Sequence, residues 1–184
     1  MNPLALLGRF HGFNRNLGER RQRLFRVACS WCQDTTLADD LVQETMTKAW
    51  KNIKGLRKPQ SLDSWLFNIL ANCWRDHLRR QRTLEDVNDE AILAEIATES
   101  EMERNEMIER VRLAVSELPI PHREVIALID LEGFSYSEVS QILDIPQGTV
   151  TSRVTRARDT LRRKLKDIQN PEIDRQVVVL RSVK

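Results

Sequence analysis

Aromatic residues are scarce in this 184-residue chain, at 5%, and glycine and proline number only six each. An all-β fold needs a turn every ~8–12 residues, and the punctuation for that is missing. The core must come mainly from aliphatic side chains on helices, so the sequence predicts an all-α fold. Long apolar runs are absent too. The longest, Val125-Ile126-Ala127-Leu128-Ile129, falls far short of the ~20 residues a membrane-spanning helix requires. Near the N-terminus, Leu4-Ala5-Leu6-Leu7 gives way to Gly8 and Arg9, whereas a secretory core needs roughly 7–15 apolar residues. A cytoplasmic location is expected, with no insertion into a membrane. The three cysteines, Cys29, Cys32 and Cys73, make no disulfide framework, and His11, His77 and His122 are scattered. No metal or cofactor is expected.

Net charge is also small: 29 Lys+Arg against 27 Asp+Glu leave +2. By segment, the balance is far from even. Residues 84–109 hold ten acids and one base, or −9; residues 147–166 hold seven bases and one acid, or +6. A third block, residues 75–82, carries Arg75, Arg79, Arg80 and Arg82 against Asp76, or +3. Charged helix faces are often no more than solvated surface. Two basic helices joined by an acidic connector also suit two contacts with a polyanion.

Hydrophobic spacing predicts the helices. Over 14–32, Leu24, Val27, Ala28 and Trp31 share a face. Thr36 is expected to cap a second helix with Asp39 in its first turn, running through Leu41, Val42, Thr45, Ala49 and Trp50 to about Ile53. A loop with Lys54, Gly55, Arg57, Lys58 and Pro59 follows, and Ser61 is placed as the cap of a third helix. That helix turns Leu62, Leu66, Ile69, Leu70, Cys73 and Leu78 inward and Asn68, Asn72, Arg75, Asp76 and Arg79 outward. The acidic segment shows weak periodicity and reads as a linker. Order resumes with Met107, Ile108, Val111, Val115 and Leu118 on one face. Pro119 breaks that helix, and Pro121 suits the first turn of the next.

Ser135-Tyr136-Ser137-Glu138 is a capping box opening a short helix. The turn Asp144-Ile145-Pro146 leads to a long basic helix with Val150, Val154, Ala157, Leu161 and Leu165 inward. This is a helix-turn-helix, whose second helix enters the major groove of DNA. Thr151, Ser152, Thr155 and Arg156 face away from the apolar stripe and are candidates for base edges. Arg153 and Arg158 flank them as phosphate contacts, and Tyr136 and Ser137 stand at a helix N-terminus that can approach phosphate. On the third helix, Asn68, Asn72, Arg75, Asp76, Arg79 and Arg80 can hold a phosphate backbone. The basic loop beside it suits an unpaired strand.

These residues carry a resemblance. Asp39-Asp40-Leu41-Val42-Gln43-Glu44-Thr45 with Lys48-Ala49-Trp50 resembles the polymerase-binding segment of extracytoplasmic-function sigma factors. Trp65-Leu66-Phe67-Asn68-Ile69-Leu70-Ala71-Asn72 with Arg75-Asp76-His77-Leu78-Arg79-Arg80 resembles their promoter-melting helix. Leu118-Pro119, Arg123-Glu124-Val125, Gly133-Phe134-Ser135-Tyr136-Ser137-Glu138, Gly148-Thr149-Val150 and Ser152-Arg153-Val154-Thr155-Arg156-Ala157-Arg158 resemble their second DNA-binding domain.

The resemblance covers residues 24–165 and implies two small helical domains. Residues 1–83 would bind core RNA polymerase through Asp39, Asp40, Leu41, Gln43, Glu44 and Lys48. The same domain would capture the melted −10 element through Lys54, Arg57, Lys58, Ser61, Trp65, Asn68, Asn72, Arg75, Asp76, Arg79 and Arg80. Residues 107–170 would read the −35 duplex through Tyr136, Ser137, Gly148, Thr149, Thr151, Ser152, Arg153, Thr155 and Arg156. Residues 84–106 would be the acidic linker, threading a basic polymerase channel, and 171–184 a tail without assignment. Phosphodiester chemistry would belong to the polymerase, so no catalytic residue is expected here, nor a small-molecule substrate. An anti-sigma factor is an implied partner. The competing reading is a conventional helix-turn-helix regulator acting as a dimer. Ile129 departs from the family, where a phosphate-contacting residue often stands, and Cys29 and Cys32 lie outside its pattern. The cysteines are expected to be buried and structural, and the tryptophans to pack, with Trp65 and Trp74 also able to stack on a base.

Overall fold

The computed structural model describes residues 17–53, 62–84 and 102–166. Seven helices account for nearly all of them, with no strand among the described residues: α1 Leu17–Cys32, α2 Thr35–Asn52, α3 Leu62–Leu84, α4 Met102–Ser116, α5 Ile120–Ile126, α6 Tyr136–Leu143 and α7 Gln147–Lys164. They divide into two compact units, one built on α1–α3 and the other on α4–α7. No described helix is long and apolar enough to cross a membrane.

In the first unit the predicted faces turn inward. Leu24, Val27, Ala28 and Trp31 of α1 meet Ala38, Leu41, Val42 and Ala49 of α2, with Leu66, Leu70 and Cys73 of α3, all almost fully buried. Thr45 is the one buried polar residue among those described; its hydroxyl donates to the Leu41 carbonyl at 2.7 Å, which removes the cost of an unpaired oxygen. α1 and α3 are tied by Asp63, which accepts from Arg20 Nε at 3.0 Å and Arg23 at 2.6 Å. Burial pushes the Asp63 carboxyl up, but the hydrogen bonds from Arg23 and Arg20 outweigh it and hold it below its ordinary value.

Several local expectations are corrected. The expected start of α1 at residue 14 lies outside the described residues. Asp34, not Thr36, caps α2, its carboxylate accepting from the Thr36 and Leu37 amides at 2.8 and 3.1 Å. Aspartate in extended backbone starts the helix two positions earlier, which leaves Thr36 inside the first turn. Asp39 therefore lies beyond the first turn. Ile69 and Leu78 are only half-buried, and Phe67 and Trp74 take the inner positions instead. Trp50 is 53% exposed. Cys29 and Cys32 are half-buried, not enclosed, and the Cys32 thiol donates to the Asp34 carbonyl at 3.1 Å. Cys73 is enclosed, and burial pushes its thiol up.

The second unit has its core on Ala114, Leu118, Val125, Ala127, Leu128, Val139, Val150, Val154 and Ala157. On α4 the inner face is Met107, Val111, Ala114 and Val115, continued by Leu118 just after the helix, whereas Ile108 is 40% exposed. Small Ala114 continues the true stripe and Ile108 falls beside it. Pro121 lies in the first turn of α5, as expected from its missing N–H. α5 then widens into a π turn, Ala127–Leu131. Gly133, at φ 75°, ends it: its N–H reaches the Ile129 carbonyl at 3.0 Å and the Phe134 N–H reaches Leu128 at 3.1 Å.

Candidate nucleic-acid interface

α6 starts at the predicted capping box. The Glu138 N–H donates to Ser135 Oγ, and Glu138 Oε2 accepts from the Ser135 N–H at 2.8 Å. The Ser135 hydroxyl, donating to Glu138 Oε2 at 2.7 Å, and then the Ser135 N–H hold the Glu138 carboxyl below its ordinary value. Asp144 closes the helix in left-handed backbone, φ 51° and ψ 52°. Ser140 seals the turn from within, accepting the Ile145 N–H at its carbonyl (3.1 Å) and donating its hydroxyl to the Ile145 carbonyl at 2.6 Å. Pro146 then opens α7.

On α7, Val150, Val154 and Ala157 are buried, which fixes the outward face. Thr151, Ser152, Thr155 and Arg156 are exposed along it, Gly148 is exposed at its start, and Thr149 and Arg153 are half-buried. The hydroxyls fold back on the helix: Thr151 donates to Gln147, Ser152 to Thr149 and Thr155 to Thr151, at 3.0–3.1 Å. Each oxygen keeps lone pairs outward and can rotate to donate to a ligand. On α6, Ser137 is exposed and Tyr136 half-buried.

Arg158 is corrected. Rather than facing outward as a phosphate contact, its guanidinium donates to Asp130 of the π turn at 2.7 Å. The hydrogen bond to Asp130, partly opposed by burial, pushes Arg158 above its ordinary value, and Tyr136 adds to the same effect. Ile129 is buried and offers nothing to a backbone. Sequence spacing also missed His122. The packing of α5 on α7 places its ring within the field of Arg153 and Arg156, while burial and those arginines push it below its ordinary value. No periodicity signals that neighbourhood.

In the first unit, Lys54, Arg57, Lys58 and Ser61 lie outside the described residues. Asn72 is exposed and donates to Asn68 Oδ1 at 3.3 Å; Asn68, Trp65, Arg75 and Asp76 are half-buried; Arg79 and Arg80 are exposed. Trp74 is buried and stacks on His77 with centroids 5.7 Å apart, so it cannot receive a base. Burial and Arg80 push His77 down.

The residues expected to bind polymerase are mostly on the surface of α2: Asp40 and Gln43 are exposed, and Asp39, Glu44 and Lys48 half-buried. Leu41 is the exception. At 2% exposure it belongs to the core and presents nothing to a partner. Asp39 accepts from Gln43 at 2.7 Å and from Arg21. Lys48 pairs with Glu44 at 2.8 Å and with Asp76 of α3 at 3.7 Å, and Glu44 reaches Arg80 at 4.0 Å. The hydrogen bond that Lys48 donates to Glu44 pushes the lysine up. Residues of α2 and α3 therefore share one charge network. Among the described residues no cluster of His, Cys, Asp and Glu suits a metal ion.

A basic helix behind a capped helix and a tight turn, accompanied by a separate three-helix unit, defines a helical DNA-binding protein of two units. The family models for Sigma-70 region 2 and Sigma-70, region 4 match residues 18–83 and 108–161. The ECF RNA polymerase sigma factor EcfG of Rhodopseudomonas palustris (strain TIE-1) is 36% identical over 140 residues, 76% of each chain. The ECF RNA polymerase sigma-E factor of Haemophilus influenzae is 32% identical over 143 residues, 70% of this chain and 75% of that one. Among solved structures, the sigma factor RpoE of Bartonella quintana, in complex with the anti-sigma factor NepR, matches with TM-score 0.72 and 32% identity, over 84% of this chain and 96% of that one. CnrH in complex with the cytosolic domain of CnrY gives TM-score 0.60 and 27% identity, over 85% and 89%. The chain belongs to the extracytoplasmic-function sigma factors of bacterial RNA polymerase. A conventional dimeric regulator is not favoured.

Proposed function

We propose that the chain joins core RNA polymerase in the cytoplasm, selects promoters by their −35 and −10 elements, and promotes strand opening. The observation that carries this is the outward face of α7, where Thr151, Ser152, Thr155 and Arg156 stand exposed opposite the buried Val150–Val154–Ala157 stripe. Arg156 can take guanine bidentately, and the small hydroxyl residues can meet base edges or phosphate. Tyr136, Ser137, Gly148, Thr149 and Arg153 complete the −35 set.

Asp39, Asp40, Gln43, Glu44 and Lys48 form the polymerase-binding surface on α2. Asn68, Asn72, Arg75, Asp76, Arg79 and Arg80, with Trp65 and the basic residues Lys54, Arg57 and Lys58 beside Ser61, take the −10 strand. Their amides suit the edges of unpaired bases and their guanidiniums suit phosphate. The acidic stretch expected over residues 84–106, of which Leu84 belongs to α3 and residues 102–106 to α4, has a charge suited to a basic channel. Bond making belongs to the polymerase. An anti-sigma factor acts as the inhibitory partner, as the relatives' complexes suggest.

Run-off transcription with purified core polymerase on a genomic promoter library tests the proposal. Specific transcripts that require the chain are expected. Tight binding of the isolated chain to a duplex palindrome, without transcripts, would favour the regulator instead.

A further inference from the structure

Val125 to Ile129 are all buried, an unbroken run where a surface helix turns only one face inward. The π turn Ala127–Leu131, wider than an α turn, closes this run with a carboxylate, Asp130, 14% exposed. Asp130 Oδ1 accepts from Arg158 Nη2 at 2.7 Å, across 28 positions of sequence. The Arg158 Nε is enclosed with no partner among the described residues, so the guanidinium is turned into the unit. Arg158 lies on the same edge of α7 as Thr151 and Thr155, seven and three positions before it. Further along α7, Arg162 pairs within the helix with Asp159, and Lys164 holds Glu117 at the far end. Among the described residues, Arg158 is thus the charged tether of α7 nearest its exposed first turns. We propose that Asp130 and Arg158 are positioning residues for duplex reading: the pair fixes the roll and tilt of α7, and through them selectivity at the −35 element. This rests on α7 being the duplex-reading helix.

Apolar packing alone leaves that orientation loose. Val150, Val154 and Ala157 decide which side of α7 faces inward, but their side chains are small and hydrophobic burial has no direction. A charge-assisted hydrogen bond has both direction and a narrow range of length. Thr151 stands about 10 Å along the helix from Arg158. A tilt of about 10° about the pair would carry Thr151 by about 2 Å, several times the ~0.5 Å window of a hydrogen bond. Contacts to base edges need that window, whereas long basic side chains can follow a displaced phosphate. Loss of the pair therefore costs selectivity before it costs general affinity for DNA. Asp130 also stands five positions before Ser135, the cap of α6, so the pair links both helices of the helix-turn-helix.

The test uses holoenzyme assembled from core polymerase and the full chain, with a promoter chosen by run-off transcription and the same promoter with its −35 element replaced. Affinities are measured for wild type, Asp130→Asn, Arg158→Met, Arg158→Lys and the Asp130→Asn/Arg158→Met double variant, at a temperature where urea curves show each chain folded. Asp130→Asn and Arg158→Met should each lower the ratio of the two affinities by about tenfold, the discrimination of one base contact. The loss should fall on the intact promoter, with the replaced promoter bound as by wild type. The double variant should lose no more than either single one. Arg158→Lys, whose ammonium can still reach Asp130, should keep part of the ratio and covers the case in which methionine prevents folding. An unchanged ratio in variants that unfold more easily makes the pair a stabilising contact only and overturns the proposal. Tighter binding of both promoters by Asp130→Asn, with weaker binding of both by Arg158→Met, makes Arg158 a phosphate contact and overturns it too. A wild type that binds the two promoters equally overturns the reading of α7 and the proposal with it, a failure seen before any variant is compared.

Discussion

The guanidinium of Arg158 lies 2.7 Å from the Asp130 carboxylate, joining the middle of α7 to the π turn that precedes the helix-turn-helix. Asp130 is 14% exposed and Arg158 39%. The pair is therefore neither a solvated surface contact nor a fully buried one. Its position ties the helix carrying Arg156 to the π turn.

Arg158→Met and Asp130→Asn should each destabilise the second unit by about 1–2 kcal/mol, a charge-assisted hydrogen bond discounted for exposure of the arginine. Urea unfolding of both single variants and the double variant measures the coupling. Strictly additive losses would return Arg158 to the set of phosphate contacts.

Arg156→Ala should reduce discrimination at one −35 base pair by about 1–3 kcal/mol, whereas Arg153→Ala should weaken all sequences alike and flatten the salt dependence. Competition among −35 variants at two salt concentrations separates the two effects. A uniform loss for both would place Arg156 on phosphate.

Asp63 gives the first unit a pH dependence. Its folded carboxyl sits below its ordinary value of 3.8, so the stability it contributes is full above that value. That contribution is lost as pH falls through the depressed folded value. Asp63→Asn should cost about 1 kcal/mol at neutral pH, after allowing for its exposure, and should blunt acid unfolding. Equal acid sensitivity in wild type and variant would place the titrating group elsewhere.

Replacing Gln43 and Glu44 by Ala should impair association with core polymerase while leaving thermal unfolding within about 1 kcal/mol, because exposed ion pairs contribute little. Leu41→Ala should instead destabilise the unit by about 2–5 kcal/mol through the cavity it leaves. Pull-down and unfolding measurements together distinguish surface from core. Unchanged association of the double variant would remove Gln43 and Glu44 from the interface.

Much of this was legible because helical period and capping chemistry are local. The inward stripe of α7, the Ser135–Glu138 box and the break at Pro119–Pro121 follow from residues within one or two turns of each other. Arg158 and Asp130 are 28 positions apart, and both read as ordinary surface charge until the fold brings them together. His122 beside Arg153 and Arg156 escaped for the same reason. Leu41 was misplaced because a motif quoted as a block mixes residues that face a partner with those that hold the helix in place. Asp34 was passed over for Thr36 because both are good caps, and backbone geometry decides between them.

Gly148 lies in the first turn of α7 in a conformation that needs no glycine, and a Cβ built there meets nothing within 4 Å. Within the chain, alanine would fit, and it should stabilise the helix by at most about 1 kcal/mol. If Gly148→Ala raises the melting temperature yet lowers promoter affinity, the constraint at this position is steric and comes from outside the protein. The missing methyl group would then be a recess shaped to the DNA backbone.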